Sequence, residues 1–126
     1  MDALKIKKIE KSNRNMIYLY MDEDYCIAYE FSAYQLTQLI SNLKLEEKRA
    51  PEAGAIFYFV SLPAKFVVDH FSGHNVMVQD DYIKIVLDDE PRCPAWRNNF
   101  DELKMQQQIN NNQLGDAILG FFRLGK

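Results

Sequence analysis

The chain has 126 residues and a formal net charge of −3 at pH 7, and this length fits one ordinary domain. Its hydrophobic content of 48% is typical of a globular protein, whereas the acidic balance argues against a broad basic face for duplex nucleic acid. Two cysteines are too few for a disulfide framework, no apolar run approaches the ~20 residues that span a bilayer, and the first residues lack a signal-peptide pattern. We therefore expect a reduced, cytoplasmic chain without membrane association.

Three strands are predicted at the start of the chain. They are LKIKKIE (4–10), which alternates charged and apolar residues in part, MIYLYM (16–21) and YCIAYEF (25–31). The connectors KSNRN and DED have turn composition, so hairpins are the expected links. The lysines of the first stretch would then protect a sheet edge from aggregation.

A helix is predicted from residue 33 to about 47. Ser32, with Gln35 three residues later, has the pattern of a capping box, and Phe31 with Leu36 has that of a hydrophobic staple. One apolar stripe follows at helical spacing, formed by Leu36, Leu39, Ile40 and Leu43. The Pro/Gly segment RAPEAG then serves as a connector.

Four further strands are predicted after this helix. They are AIFYFVSL (55–62), KFVVDHF (65–71), NVMVQ (75–79) and YIKIVLD (82–88). The first is almost continuously apolar and is expected to be central, whereas the other three form a meander. A turn at Asp80-Asp81 places one set of apolar side chains on a common face, namely Val76, Val78, Ile83, Ile85 and Leu87.

The last predicted element is a second helix in PAWRNNFDELKMQQQ, with Pro94 near its start. Trp96, Phe100 and Leu103 follow at helical spacing. The whole chain, 1–126, is thus interpreted as a single α+β domain with an antiparallel sheet of about six to seven strands in the order βββ-α-ββββ-α. Two helices would pack on one face of this sheet.

The only two histidines, His70 and His74, lie close to Asp69 and raise the question of a metal or catalytic site. Neighbouring residues of a strand point to opposite faces, so Asp69 and His70 would not converge on one ligand. Two histidines without a third ligand also fall short of a zinc set. We predict no metal, no cofactor and no catalytic residue here, and interpret His70 as a half-buried residue.

Two kinds of surface are candidates for interaction with a partner. The acidic residues at strand ends would form a patch for a protein partner, or are ordinary turn residues, and they include Asp80, Asp81, Asp88 and Asp89. The apolar segment 113–126 would dock on the domain's own sheet, on a second copy or on another protein, through Phe121, Phe122 and Leu124.

The absence of catalytic motifs favours a small interaction protein that acts by protein–protein contact, as a homodimer, with the general character of an inhibitor or immunity-type module. The alternative is a small-molecule binder with an aromatic-lined pocket, in which His70, Tyr18, Arg92 or Arg97 would orient the ligand. Tyrosines beside the N-terminal lysines also suit a single nucleic-acid strand, although sheet packing explains them equally. A small enzyme based on the histidine region ranks last.

Overall fold

Helices and strands alternate along residues 3–50 and 55–107, which the computed structural model of this chain describes. The elements are α1 (Ala3–Ser12), β1 (Met16–Asp22), β2 (Tyr25–Tyr29), α2 (Glu30–Leu39), β3 (Glu46–Ala50), β4 (Ala55–Pro63), α3 (Ala64–His70), β5 (Asn75–Val78), β6 (Tyr82–Val86) and α4 (93–107). Each of the first three helices is followed by a pair of strands. The described chain therefore repeats an α-β-β unit three times and ends with helix α4.

The six strands form one sheet in the order β3-β4-β2-β1-β6-β5, and every neighbouring pair is antiparallel. The β1–β2 hairpin is central, β3–β4 extends it on one side and β5–β6 extends it on the other. The α+β class and the antiparallel sheet predicted from the sequence are therefore confirmed. The edges of the sheet are β3 and β5, and they lie at opposite ends.

The two faces of the sheet are covered differently, because successive side chains of a strand point to opposite faces. Ile17 and Leu19 of β1 belong to the main core, to which α2, α3 and α4 contribute Phe31, Leu36, Val67, Trp96 and Phe100. Tyr18 and Tyr20 face the other way, where Ile6 of α1 packs in a smaller cluster with Phe57. The predicted helices, α2 and α4, thus share one face, and α1 occupies the opposite one.

The predicted first strand is wrong, because residues 3–12 form helix α1. Ile6 and Glu10, four residues apart, are the buried positions of this helix, whereas Leu4 is 60% exposed. A stretch this short fits a period of 2 or of 3.6, and its lysines are good helix formers. The lysines of α1 therefore do not protect a strand edge.

The predicted strand over residues 65–71 is also wrong, because Ala64–His70 form helix α3. Val67 and Phe71 are buried at a spacing of four residues, whereas Phe66 and Val68 are 41% and 61% exposed. Adjacent β-branched residues favour a strand locally, but burial of one helical face outweighs that preference.

Helix α2 is shorter than predicted and starts earlier, at Glu30 rather than after Ser32. Ser32 is a fully buried residue within the first turn of α2, and the residue that caps this helix is Tyr29. The helix stops at Leu39 because the backbone of Ile40 is already extended (φ −117°, ψ 115°), and Asn42 then adopts a left-handed φ of 69°. Residues 46 and 47, expected at its end, belong to strand β3.

Candidate functional site

Strand β5 presents an apolar free edge of the sheet. Val76, Met77 and Val78 are 40%, 41% and 77% exposed, although all three are apolar. The register of β5 on β6 pairs Val76 with Ile85 and Val78 with Ile83, so the predicted common face across the Asp80-Asp81 turn is confirmed. This strand therefore exposes apolar side chains on both faces of the sheet, Val76 and Val78 on one and Met77 on the other.

The hydrogen-bonding groups of this edge can be assigned from the hairpin. The backbone N–H of Gln79 donates to the carbonyl of Tyr82 at 2.8 Å, which makes these two residues a hydrogen-bonded pair. Such pairs alternate along an antiparallel ladder, so Met77 bonds to Lys84 of β6. The N–H and C=O groups of Val76 and Val78 therefore point away from β6, and no strand described in the structure pairs with them.

The opposite edge strand, β3, is built differently. Its residues include Glu46, Glu47, Lys48 and Arg49, and all four are exposed. Charged side chains along an edge strand oppose pairing with another chain, whereas an apolar edge promotes it. As far as the described strands go, the sheet thus has one protected edge and one edge that is open to pairing.

A second feature is a cluster of buried polar groups that holds α1 against the start of α2. Glu10 is 2% exposed, and its Oε1 accepts hydrogen bonds from the Ser32 N–H (2.8 Å) and the Asn13 amide (3.1 Å). Its Oε2 accepts a bond from the Ser32 hydroxyl at 2.7 Å. Burial raises the pKa of Glu10 to about 7 even though these bonds oppose the rise. Glu10 is therefore a buried carboxyl group that titrates near neutrality.

Glu30 is the other buried carboxylate, and it is 1% exposed. Its Oε2 accepts a hydrogen bond from the backbone N–H of Tyr58 at 2.9 Å. Tyr58 belongs to β4 and lies next to Phe59, the residue that pairs with the last residue of β2. Its Oε1 lies 3.0 Å from Lys104 Nζ of α4 and 3.4 Å from Lys7 Nζ of α1. Its left-handed φ of 52° costs about 1 kcal/mol or more, and the contacts that its carboxylate makes offset this strain. Glu30 thereby links α1, β4 and α4.

A groove of about 730 Å³ lies between α1 and α4, and six cations line it: Lys7, Lys8, Lys11, Arg14, Arg97 and Lys104. Arg97 joins the two helices, because its Nη1 donates to the carbonyls of Glu10 (2.8 Å) and Asn13 (3.2 Å) at the end of α1. Its Nη2 also pairs with Asp101 at 2.8 Å. These contacts fix the position of one helix relative to the other.

The cations of the groove fall into two groups. Lys7, Arg97 and Lys104 are held by Glu30 or Asp101. In contrast, none of the ion pairs within residues 3–50 and 55–107 includes Lys8, Lys11 or Arg14. The second group is therefore the part of the groove whose charge is not neutralised by any acid among the residues that the structure describes.

The structure places the histidines around a buried phenylalanine. The His70 ring stacks on Phe66 with the centroids 5.5 Å apart, and it meets the edge of Phe71 at 4.8 Å. The His74 ring contacts Phe71 at 5.1 Å. Both histidines are exposed, so His70 is not the half-buried strand residue expected. Among the residues described, no group of three possible metal ligands comes together.

The predicted acidic residues lie at opposite ends of β6. Asp80 and Asp81 form the exposed β5–β6 turn, whereas Asp88 and Asp89 follow the last residue of the strand. The second pair lines a small cavity of about 290 Å³ together with His74. The structure therefore does not gather the four acids into one patch.

The residues predicted to orient a small molecule are spread over the fold. Tyr18 lies on the α1 side of the sheet, with its ring 5.7 Å from Tyr82, and His70 ends α3 on the other side. Arg92 pairs with Glu90 at 2.5 Å, and Arg97 belongs to the α1–α4 groove. Phe121, Phe122 and Leu124, with the whole segment 113–126, lie outside the described residues.

Sequence reasoning missed the two buried glutamates. Glu10 lies on a segment interpreted as a strand, and Glu30 lies within the predicted strand 25–31. No local pattern marks a carboxylate for burial, because the partners that stabilise it come from distant parts of the chain, such as Ser32 for Glu10 and Lys104 for Glu30. The lysine-rich composition of residues 1–14 was the one available signal of the groove.

Comparisons with protein-family models, with curated proteins and with solved structures found no match to this chain. Within residues 3–50 and 55–107, none of the helices has the length and apolar character that crossing a membrane requires.

Proposed function

We propose that this chain is an interaction protein that acts by protein–protein contact and that it pairs with a second copy of itself through strand β5. The observation that carries this proposal is the apolar, unpaired edge of β5 at one end of a sheet whose other edge is charged. Pairing of two β5 strands would join two six-stranded sheets into one continuous sheet. The two free, buried thiols, Cys26 and Cys93, suit a reducing compartment such as the cytoplasm.

The alternation of β5 is compatible with a register centred on Met77, which we propose because it pairs the two outward-facing valines with each other. Residues opposite each other in an antiparallel sheet must face the same side, and the outward N–H and C=O groups belong to Val76 and Val78. A two-fold axis at Met77 satisfies both conditions, because it sets Val76 of each copy against Val78 of the other. Both valine pairs then exchange backbone hydrogen bonds, and the two Met77 side chains lie directly opposite each other.

Charge supports the antiparallel arrangement. The Asp80-Asp81 turn follows the C-terminal end of β5, and His74 precedes its N-terminal end. A two-fold axis at Met77 separates the acidic turns of the two copies and places His74 of one copy near Asp80 of the other. A parallel arrangement would bring the two acidic turns together, and like charges at close range oppose association.

The apolar contribution is concentrated in Val78. Full burial of a valine side chain stabilises by about 1.5 kcal/mol or more, and Val78 is 77% exposed in the single chain. Since a symmetric interface contains this residue twice, a change at Val78 affects two contacts. Val78 is therefore the residue at which substitution tests the proposal most sharply.

The test is the mass in solution of the unmodified chain and of Val78→Lys, measured by sedimentation velocity over a range of concentrations. We expect the unmodified chain to reach twice its 14.8 kDa mass and Val78→Lys to remain a monomer. The matched control is Val68→Lys, which makes the same change at a 61% exposed valine of α3 and should still dimerise. A monomeric unmodified chain, or an equally dimeric Val78→Lys variant, would refute the proposal.

A further inference from the structure

The groove between α1 and α4 has a charge opposite to that of the rest of the chain. Three of its six cations form ion pairs with two acids, Glu30 and Asp101, and these eight residues together carry a local charge of +4. The whole chain carries −3, so all other residues together carry −7. This separation of charge focuses a positive potential on one concave surface and attracts anionic partners to it.

The arrangement of lysines on α1 is unfavourable for the isolated helix. Lys7 and Lys11 are four residues apart and Lys8 and Lys11 are three apart, so like charges lie next to each other on the helix surface. No acid stands in the first turn of α1, although Lys11 in its last turn has the charge that the helix dipole favours. A helix selected only to cover the sheet has no need of this repulsion, whereas an anionic ligand would relieve it.

We propose that this groove binds an acidic peptide segment of a protein partner. Lys8 and Lys11 are three residues apart on α1, a rise of about 4.5 Å, and Arg14 follows the end of the helix. Alternate side chains of an extended peptide are separated by about 6.6 Å, a spacing within reach of these long, flexible cationic side chains. Lys8, Lys11 and Arg14 make the pairing, because Glu30 and Asp101 already hold the other three cations.

The remainder of the lining favours a peptide over a nucleic-acid strand. A single strand is held by stacking of its bases on aromatic side chains, and none of the described residues that line this groove is aromatic. The nearby rings of Phe31 and Phe100 are covered by Arg97 and Lys104, at 4.8 and 5.5 Å from the ring centroids. Met105, which is 61% exposed in the wall, offers an adaptable apolar contact for a hydrophobic residue within an acidic segment.

The test uses a fluorescein-labelled peptide of glutamates interrupted by one leucine, and fluorescence anisotropy as the readout. The groove variant is Lys8→Gln with Lys11→Gln and Arg14→Gln. The matched control, Lys48→Gln with Arg49→Gln and Lys65→Gln, removes the same charge from exposed residues of β3 and α3. Circular dichroism and thermal unfolding verify that both variants are folded.

We expect the groove variant to bind the peptide about tenfold more weakly than the unmodified chain, because three solvent-exposed charge pairs are lost. The control should bind within twofold of the unmodified chain, and a peptide with glutamine in place of glutamate should not bind. Equal loss in both variants, or no binding by the unmodified chain, would overturn the proposal. Tighter binding of a labelled oligouridylate of equal length would overturn it in favour of nucleic acid. None of these results bears on β5, because peptide binding and oligomeric state are measured separately.

Discussion

Replacing Glu10 by glutamine should abolish a pH dependence of stability that the buried carboxyl group creates. Burial raises the pKa of Glu10 from an ordinary value of 4.5 to about 7 in the folded chain. The charge of Glu30 also raises it, whereas hydrogen bonds from Ser32 and Asn13 oppose the rise. Glutamine has the shape of the protonated carboxyl group but does not ionise, so it removes the titration while it fills the same space.

The size of this change in the free energy of unfolding follows from the linkage between protonation and folding. Below pH 4.5 the carboxyl group is protonated in both states, and its contribution to stability is fully present. Between pH 4.5 and 7 the unfolded chain releases this proton but the folded chain retains it, so the free energy of unfolding falls as the pH rises. At 1.36 kcal/mol per pKa unit, the loss is about 3 kcal/mol, and it is complete once the pH exceeds 7.

The assay is equilibrium unfolding in urea, followed by the fluorescence of Trp96, which is the only tryptophan and is buried. Glu10→Gln should match the unmodified chain near pH 4.5 and exceed its stability by about 3 kcal/mol at pH 8. Glu102→Gln removes an exposed carboxylate of α4 and is the control for a general change in charge. A difference between Glu10→Gln and the unmodified chain that stays constant from pH 4.5 to pH 8 would refute the reasoning.

Three further substitutions test the contacts that hold the helices, each measured by urea unfolding at pH 7. Glu30→Gln should lower the free energy of unfolding by about 2 kcal/mol, because it leaves Lys7 and Lys104 without a counter-charge. The loss is limited because both lysines are partly exposed to solvent. An unchanged free energy of unfolding would contradict the linking role of Glu30. Arg97→Met retains much of the side-chain volume but removes the bonds to the end of α1, for an expected loss of about 2 kcal/mol, and an unchanged midpoint would argue against it. Phe100→Ala should cost about 3 to 5 kcal/mol because its ring is 1% exposed and contacts Phe31, so a loss below 1 kcal/mol would contradict the described core.

Strands rich in aromatic and β-branched residues and bounded by turns could be predicted from the sequence, whereas helices α1 and α3, whose apolar residues fit two periods, could not. The tyrosine-rich strands and the apolar strand β4 have strand composition and flanking turn residues, and the helix that contains Trp96 and Phe100 is long enough to show one period. Residues 4–10 and 65–71 are only two turns long, and each reads as a strand when its neighbours are ignored. The position of Val67 against the sheet decides the second case, and that contact is not local.

The candidate site could be predicted from the sequence only in part, for the same reason. The pairing of β5 with β6 depends on the adjacent Asp80-Asp81 turn, so the sequence predicts which valines share a face. That β5 lies at an edge depends on how the three hairpins order themselves in the sheet, and no single segment encodes this order. The groove likewise requires α1 and α4 to meet, although Lys7 and Lys104 are far apart in the sequence.

The measurement that tests the β5 pairing most directly is disulfide crosslinking of single-cysteine substitutions under mild oxidation. Met77→Cys should form a covalent dimer readily, because a two-fold axis at this residue brings the two cysteine Cα atoms to about 4.5 Å, within the range that a disulfide bridges. Asn75→Cys is the control, since the same axis sets residue 75 against residue 79 and keeps its two copies apart. The native Cys26 and Cys93 are buried and should not compete. Rapid crosslinking of Met77→Cys alone is the predicted result, and crosslinking of Asn75→Cys at an equal rate, or of neither, would contradict the account.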